Sequence, residues 1–136
     1  MGHEPLIVLD THVLVWWVAG SGRLSARAKR AIDQRLRRGP VIASAITVLE
    51  IATAVRRGRL ELGSPLDQWL ADLLALPELR FAPVSVEIAR LAGGFEDPAP
   101  GDPADRVILA TAQTLRARLV TADERLQATP LVAFVW

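Results

Sequence analysis

Short apolar runs alternate along this chain with longer stretches whose apolar positions recur at helical spacing. Leu6-Ile7-Val8-Leu9 is continuous in hydrophobicity and rich in β-type side chains, as a strand covered on both faces must be. Val41-Ile42-Ala43 repeats the pattern, and Arg80 to Val84, Leu119-Val120-Thr121 and Leu131 to Val135 are further short strands. Between them the spacing predicts helices. One runs from His12 to Ala19 and ends at Gly20-Ser21-Gly22. Ser25 can cap a second, which reaches about Arg38 and is stopped by Gly39-Pro40. A third covers about Ile46 to Arg57. Ser64-Pro65 opens a fourth, with Ser at the cap and Pro in the first turn, ending near Leu76-Pro77. Ser85 caps a fifth to about Ala92, and Pro103 starts a sixth that reaches about Arg116. Gly93 to Pro103, with three Pro, three Gly and three acids, is the one true loop.

Strands alternating with helices predict an α/β fold: a central parallel sheet of about five short strands with helices on both faces. No repeat, linker or low-complexity tract divides residues 1–136, so a single domain is expected. With 51% apolar and 23% charged residues, the composition is globular and not that of a disordered chain. Cysteine is absent, which removes disulfides, thiolate metal sites, iron–sulfur clusters and cysteine nucleophiles together. A net charge of +1 creates no strong global field toward nucleic acid. The most apolar stretch, Leu6 to Ala19, is interrupted by Asp10, Thr11 and His12, and a membrane-spanning helix needs about 20 mostly apolar residues. Met1 to Pro5 lacks the basic start of a signal peptide, so a cytoplasmic location without membrane contact is expected.

Charge by position points to chemistry. Asp10 is the only formally charged side chain from Pro5 to Gly22, and Glu50 the only one from Pro40 to Val55. A lone carboxylate in such surroundings is costly to bury unless paired, hydrogen-bonded or metal-bound. Asp10 follows the first strand, and in open α/β sheets the carboxyl edge is where ligands bind. Glu50 lies early in the helix after the second strand, Asp102 and Asp105 begin the helix after the loop, and Asp123 follows the fourth strand. Five acids thus fall toward one rim. Helix capping is the competing explanation. Thr47 to Glu50 and Thr121 to Glu124 both match the capping box, and Asp102-Pro103-Ala104-Asp105 matches an N-cap with Pro behind it. Asp10 has no such helix-start pattern around it. Two carboxylates about 5 Å apart repel by roughly 3 kcal/mol at an effective dielectric of 20. A rim of four therefore calls for a cation, and oxygen-only ligands favour Mg²⁺ or Mn²⁺ over zinc.

Four segments in order carry a family resemblance: Leu9-Asp10-Thr11-His12, Ser44 to Ala52 including Glu50, Asp102-Pro103-Ala104-Asp105-Arg106, and Leu119-Val120-Thr121-Ala122-Asp123. With this order and spacing the chain resembles PIN-domain ribonucleases, specifically the toxins of VapBC-type toxin–antitoxin pairs, from Leu6 to Val135. The resemblance implies a PIN-like fold and a divalent-metal-dependent endoribonuclease. It implies that Asp10, Glu50, Asp105 and Asp123 form the catalytic quartet around Mg²⁺ or Mn²⁺, with Thr11, Thr121 and Asp102 in support. It also implies hydrolysis that leaves a 5′-phosphate and a 3′-hydroxyl, a small cognate antitoxin whose groove includes the first helix, and a homodimer. Relatives carry a His where this chain has Gly101, a position that is not a metal ligand in the family.

Other chemistries lack their residues. There is no P-loop, Gly-x-Gly-x-x-Gly or Gly-x-Ser-x-Gly, and only His3 and His12 are available for a metal-free ribonuclease. A phosphoacceptor receiver would want two acids near the first strand and a Lys on the last, whereas the only Lys is Lys29. A haloacid-dehalogenase-like phosphatase would want Asp-x-Asp where Asp10-Thr11-His12 stands. The remaining rival is an inactive α/β interaction module whose acids only cap helices. Arg56, Arg57 and Arg59 stand at a helix C-terminus, where they complement the dipole or grip RNA phosphates, and Arg35, Arg37 and Arg38 pose the same choice. Arg106 is placed to contact substrate or pair with an acid. Of the adjacent Trp16 and Trp17, helical geometry lets one face the core and the other an interface.

Overall fold

The computed structural model describes residues 5–136; His3 lies outside them. Five strands form one all-parallel sheet: β1 (Ile7–Leu9), β2 (Val41–Ser44), β3 (Leu79–Ala82), β4 (Arg118–Val120) and β5 (Phe134–Val135). Their order across the sheet is β3-β2-β1-β4-β5. Seven helices cover it: α1 (Thr11–Ala19), α2 (Ala26–Leu36), α3 (Ile46–Arg56), α4 (Leu66–Leu74), α5 (Val86–Gly94), α6 (Pro103–Thr114) and α7 (Glu124–Gln127). None is long and apolar enough to cross a membrane.

The central strands are buried on both faces, which is why their hydrophobicity is continuous. Side chains still alternate between two cores, as the two-residue strand period requires. Ile7, Leu9, Val41 and Ala43 face Val13 and Leu14 of α1, Ile32 of α2, Ile51 of α3 and Leu73 of α4. Val8, Ile42 and Leu119 face Ile108, Leu109 and Ala112 of α6 and Leu126 of α7. A side chain such as Leu9 or Ile108, removed wholly from water, contributes about 1.5–3 kcal/mol by burial.

Helix ends follow the expected punctuation at Ser25 and Ser85, whose hydroxyls accept from the amides of Ala28 and Ile88. Gly20 closes α1 in the left-handed region at φ 65°, with Gly20 and Ser21 donating back to Trp17 and Trp16. Four local expectations are corrected. Pro65, in extended conformation, is itself the residue at the α4 boundary and brings no side-chain acceptor, because the first helical bond runs from Trp69 N–H to the Pro65 carbonyl. The loop begins later than Gly93, since α5 continues through Gly94. Only Phe134–Val135 of the last apolar run pairs as a strand, and Leu131 and Val132 instead pack onto the core beside α6. The short α7 is absent from the predicted elements.

The direction in which successive strands are added reverses at β1. The elements after it build outward through β2 and β3, then return to β4 on its other side. The carboxyl ends of β1 and β4 therefore flank a topological switch point, where an α/β sheet leaves a crevice for ligands. Asp10 follows β1 and Thr121 follows β4, tied by a bond from Asp10 N–H to the Val120 carbonyl.

Candidate metal centre and active site

Asp10 is buried at the start of α1. One carboxylate oxygen accepts from the Thr11 amide at 2.8 Å and the other from the Thr121 hydroxyl at 2.7 Å. It thus caps α1, which no sequence pattern had signalled. Burial raises its pKa, while the two donors and the nearby His12 oppose the rise.

Glu50 does no capping. The box expected at Thr47 to Glu50 is not formed: α3 starts at Ile46, whose amide goes to the Ser44 hydroxyl. Thr47 is buried inside the helix, one turn before Glu50. The Thr11 hydroxyl donates to Glu50 Oε1 at 2.5 Å, and Thr47 Oγ1 lies 2.9 Å from Thr11 Oγ1. A hydroxyl has one proton, so Thr47 must be the donor to Thr11. The resulting relay aims a half-buried carboxylate whose pKa burial raises, the Asp10 and Asp102 charges adding to the rise. The sequence pointed to Thr47 only as a capping-box residue, not as a support for Glu50; its three-residue spacing from Glu50 on one helix face was the available signal.

Asp102 caps α6 as predicted, accepting from the Asp105 amide at 3.1 Å, with Pro103 in the first turn. Asp105, one turn in, is 8% exposed. Burial first, then the charges of Asp102, Asp10, Glu50 and Asp123, push its pKa to about 7. Glu50, Asp102 and Asp105 each offer a carboxylate oxygen, all within 4.8 Å of one another. An all-oxygen set this close, repelling and half-desolvated, fits a hard divalent cation. Asp102, expected only in support, thus belongs to the tightest cluster, while Asp10 and Asp123 couple to it through their fields.

Asp123 caps α7 rather than pointing bare at the cluster. It accepts from the Arg125 amide at 2.9 Å, and the Arg125 guanidinium grips both its oxygens at 3.3 and 2.9 Å. That cation holds the Asp123 pKa below the usual range. Thr121 does not cap the helix; its hydroxyl accepts from the Asp123 amide at 3.0 Å while donating to Asp10. Arg125 also approaches Asp105, at 3.7 Å. Its placement two residues beyond Asp123 was legible only as one more surface arginine.

Arg106 turns away from the acids. Its guanidinium donates to the carbonyls of Ala92, Gly93, Phe95 and Pro100, binding the end of α5 and the loop to the start of α6. Of the two roles expected for it, the acid pair is not formed among the described residues, and the guanidinium is engaged in this clamp instead. Trp17 packs against the core and Trp16 lines a surface groove, dividing the pair as helical geometry requires. His12 is exposed, its ring 5.9 Å from that of Trp16.

The chain is 36% identical over 121 residues to ribonuclease VapC22 of Mycobacterium tuberculosis (strain ATCC 25618 / H37Rv), covering 89% of each protein. Among solved structures it resembles a toxin–antitoxin complex from Klebsiella pneumoniae, with TM-score 0.61, 24% identity and 93% and 95% of the two chains covered. It likewise resembles VapBC2 from Rickettsia felis bound to a promoter DNA fragment, with TM-score 0.66, 16% identity and 95% and 96% covered. The sequence matches the PIN domain over residues 7–131, and the chain belongs to that family.

Proposed function

We propose that this protein is a cytoplasmic, divalent-metal-dependent endoribonuclease, the toxin of a toxin–antitoxin pair. The observation that carries the reading is the oxygen-only cluster of Glu50, Asp102 and Asp105 at the switch point of a chain related to a ribonuclease. The capping alternative accounts for Asp10, Asp102 and Asp123, but Glu50 and Asp105 cap nothing. Those two are also the acids whose carboxylates converge with Asp102.

Glu50, Asp102 and Asp105 would hold Mg²⁺ or Mn²⁺, with Asp10 and Asp123 completing the negative field. When bound, the ion lowers the pKa of water and neutralises charge developing on the phosphate. The chain's own residues prepare this. Thr11, backed by Thr47, fixes the Glu50 rotamer. Thr121 and the Thr11 amide fix both oxygens of Asp10. Asp105, with its pKa near 7, gives up its proton readily as a cation arrives. In-line hydrolysis then leaves a 5′-phosphate and a 3′-hydroxyl.

The partners follow from the same reading: a small antitoxin that lays a basic residue on the acidic rim, an RNA substrate, and a second copy in a homodimer. End-mapping of total RNA after incubation with the protein, with and without a chelator, tests the activity. Asp10→Asn, Glu50→Gln, Asp105→Asn and Asp123→Asn should each cut cleavage at least a hundredfold with the fold intact. Cleavage by Asp10→Asn at the wild-type rate, or cleavage indifferent to chelation, overturns it.

A further inference from the structure

We propose that the groove between α1 and α3 is a single-stranded RNA subsite that stacks a base on Trp16 and holds the flanking phosphates with Arg23 and Arg59. The proposal rests on the nuclease reading above and names how its substrate lies. The groove has a volume of about 470 Å³, and its wall includes Thr11 and Glu50, so it opens directly onto the acidic centre. Arg23 enters from the α1–α2 connection and Arg59 from the segment after α3. On the other side of Glu50 a second depression of about 440 Å³ runs between Arg57 and Asp102. Basic side chains therefore flank the carboxylates on both sides, as a strand crossing the centre would require.

Two observations identify the occupant. Arg23, Arg57 and Arg59 are exposed and make no ion pair among the described residues, so their charge is available to a ligand. The groove has an aromatic wall: His12 and Trp16 line it with ring centroids 5.9 Å apart, and Trp136, outside the lining, backs Trp16 at 5.9 Å. The Arg23 guanidinium lies 5.9 Å over the Trp16 ring, so a base that stacks on that face takes its place and turns Arg23 toward the flanking phosphate. Stacking platforms lined by cations suit a strand whose bases are splayed, whereas a duplex hides its base faces.

The test measures binding of a fluorescent single-stranded 12-mer of uridine, and of a blunt duplex of mixed sequence, in EDTA across a salt series. Wild type is compared with Arg23→Ala/Arg59→Ala, Trp16→Ala, Trp16→Phe and, on α2 and its C-terminal edge, Arg37→Ala/Arg38→Ala. The Arg23/Arg59 pair should weaken single-strand binding about tenfold or more. It should also flatten the log–log salt slope by about 1.4, two phosphate contacts at roughly 0.7 each. Trp16→Ala should weaken binding about tenfold and Trp16→Phe restore most of it, while Arg37/Arg38 should change neither quantity. Wild-type affinity and slope in the Arg23/Arg59 variant overturn the proposal, as does duplex binding as tight as single-strand binding. Wild-type cleavage is assayed in parallel with Mn²⁺. Groove-dependent binding without cleavage removes the nuclease reading and keeps the subsite; cleavage with groove-independent binding does the reverse.

Discussion

At Asp105, burial and four neighbouring carboxylates act in the same direction, and the pKa is raised from the ordinary aspartate value of 3.8 to about 7. The folded state therefore holds a proton that the unfolded chain releases between about pH 4 and pH 7. Stability from this group is full at low pH and is lost as pH rises toward 7. The metal-free protein should melt at a higher temperature at pH 5.5 than at pH 7.5, and Asp105→Asn should flatten that difference. A profile as steep in the variant would remove Asp105 as its source. Asp123 has the opposite sign: its lowered pKa contributes stability that is lost only as pH falls below the ordinary carboxylate range. Arg125 sets that sign, and its side chain is 70% exposed, so it is a screened, movable countercharge. Arg125→Gln should raise divalent affinity a few-fold at low ionic strength by removing a competing cation. Calorimetric titration with Mn²⁺ measures this, and the gain should vanish in high salt. These residues also mark the limit of reading the sequence. Lone acids at strand ends were conspicuous in apolar surroundings, so Asp10 and Glu50 stood out. The bond of Thr47 to Thr11 and the approach of Arg125 to Asp105 join separate elements, which spacing along the chain does not encode.

Among the elements, α6 carries the most chemistry, and its start is held by Arg106. One guanidinium binds four carbonyls from the end of α5 and the following loop, with the Phe95 ring 5.9 Å away. Hydrogen bonds to a charged donor are the stronger kind, so Arg106→Ala should cost about 2–4 kcal/mol. It should also raise amide exchange from residue 95 to residue 101 and slow cleavage, because Asp102 sits at the end of that loop. Unchanged exchange there would show that the loop is held by other means. Most elements were legible because their signals are local: apolar runs with β-type residues for β1 and β2, serines at the starts of α2 and α5, Pro103 behind Asp102 for α6. The failures have physical causes. Four residues of α7 are one turn, too short to display a period. Leu131 and Val132 are apolar because they cover α6, and a packed loop and a strand look alike over so few positions. The Thr47 capping box failed because Ser44 had already taken the role of satisfying an amide at the start of α3.

For the whole molecule the acidic rim is a liability that a cation converts into stability. The sheet brings Asp10, Glu50, Asp102, Asp105 and Asp123 together from four separate stretches of chain, and their fields reach one another. Once the chain unfolds these acids lie far apart in water, and no site for an ion remains. A divalent ion that binds only the folded state stabilises it by mass action, about 2.7 kcal/mol at 100 times its dissociation constant. In a chain of 136 residues that corresponds to a rise in melting temperature of several degrees. Millimolar Mg²⁺ or Mn²⁺ should therefore raise the melting temperature beyond NaCl at equal ionic strength. Glu50→Gln and Asp105→Asn should remove that gain while leaving the metal-free protein as stable as wild type or more so, since each relieves repulsion. Caps behave differently. The Asp10, Asp102 and Asp123 carboxylates that accept from backbone amides would stabilise their helices equally in either salt. A melting series in matched divalent and monovalent salt separates the two accounts. If it shows no divalent-specific shift up to ten millimolar, the acids are helix caps and neighbours by accident of topology, and the catalytic reading falls with them.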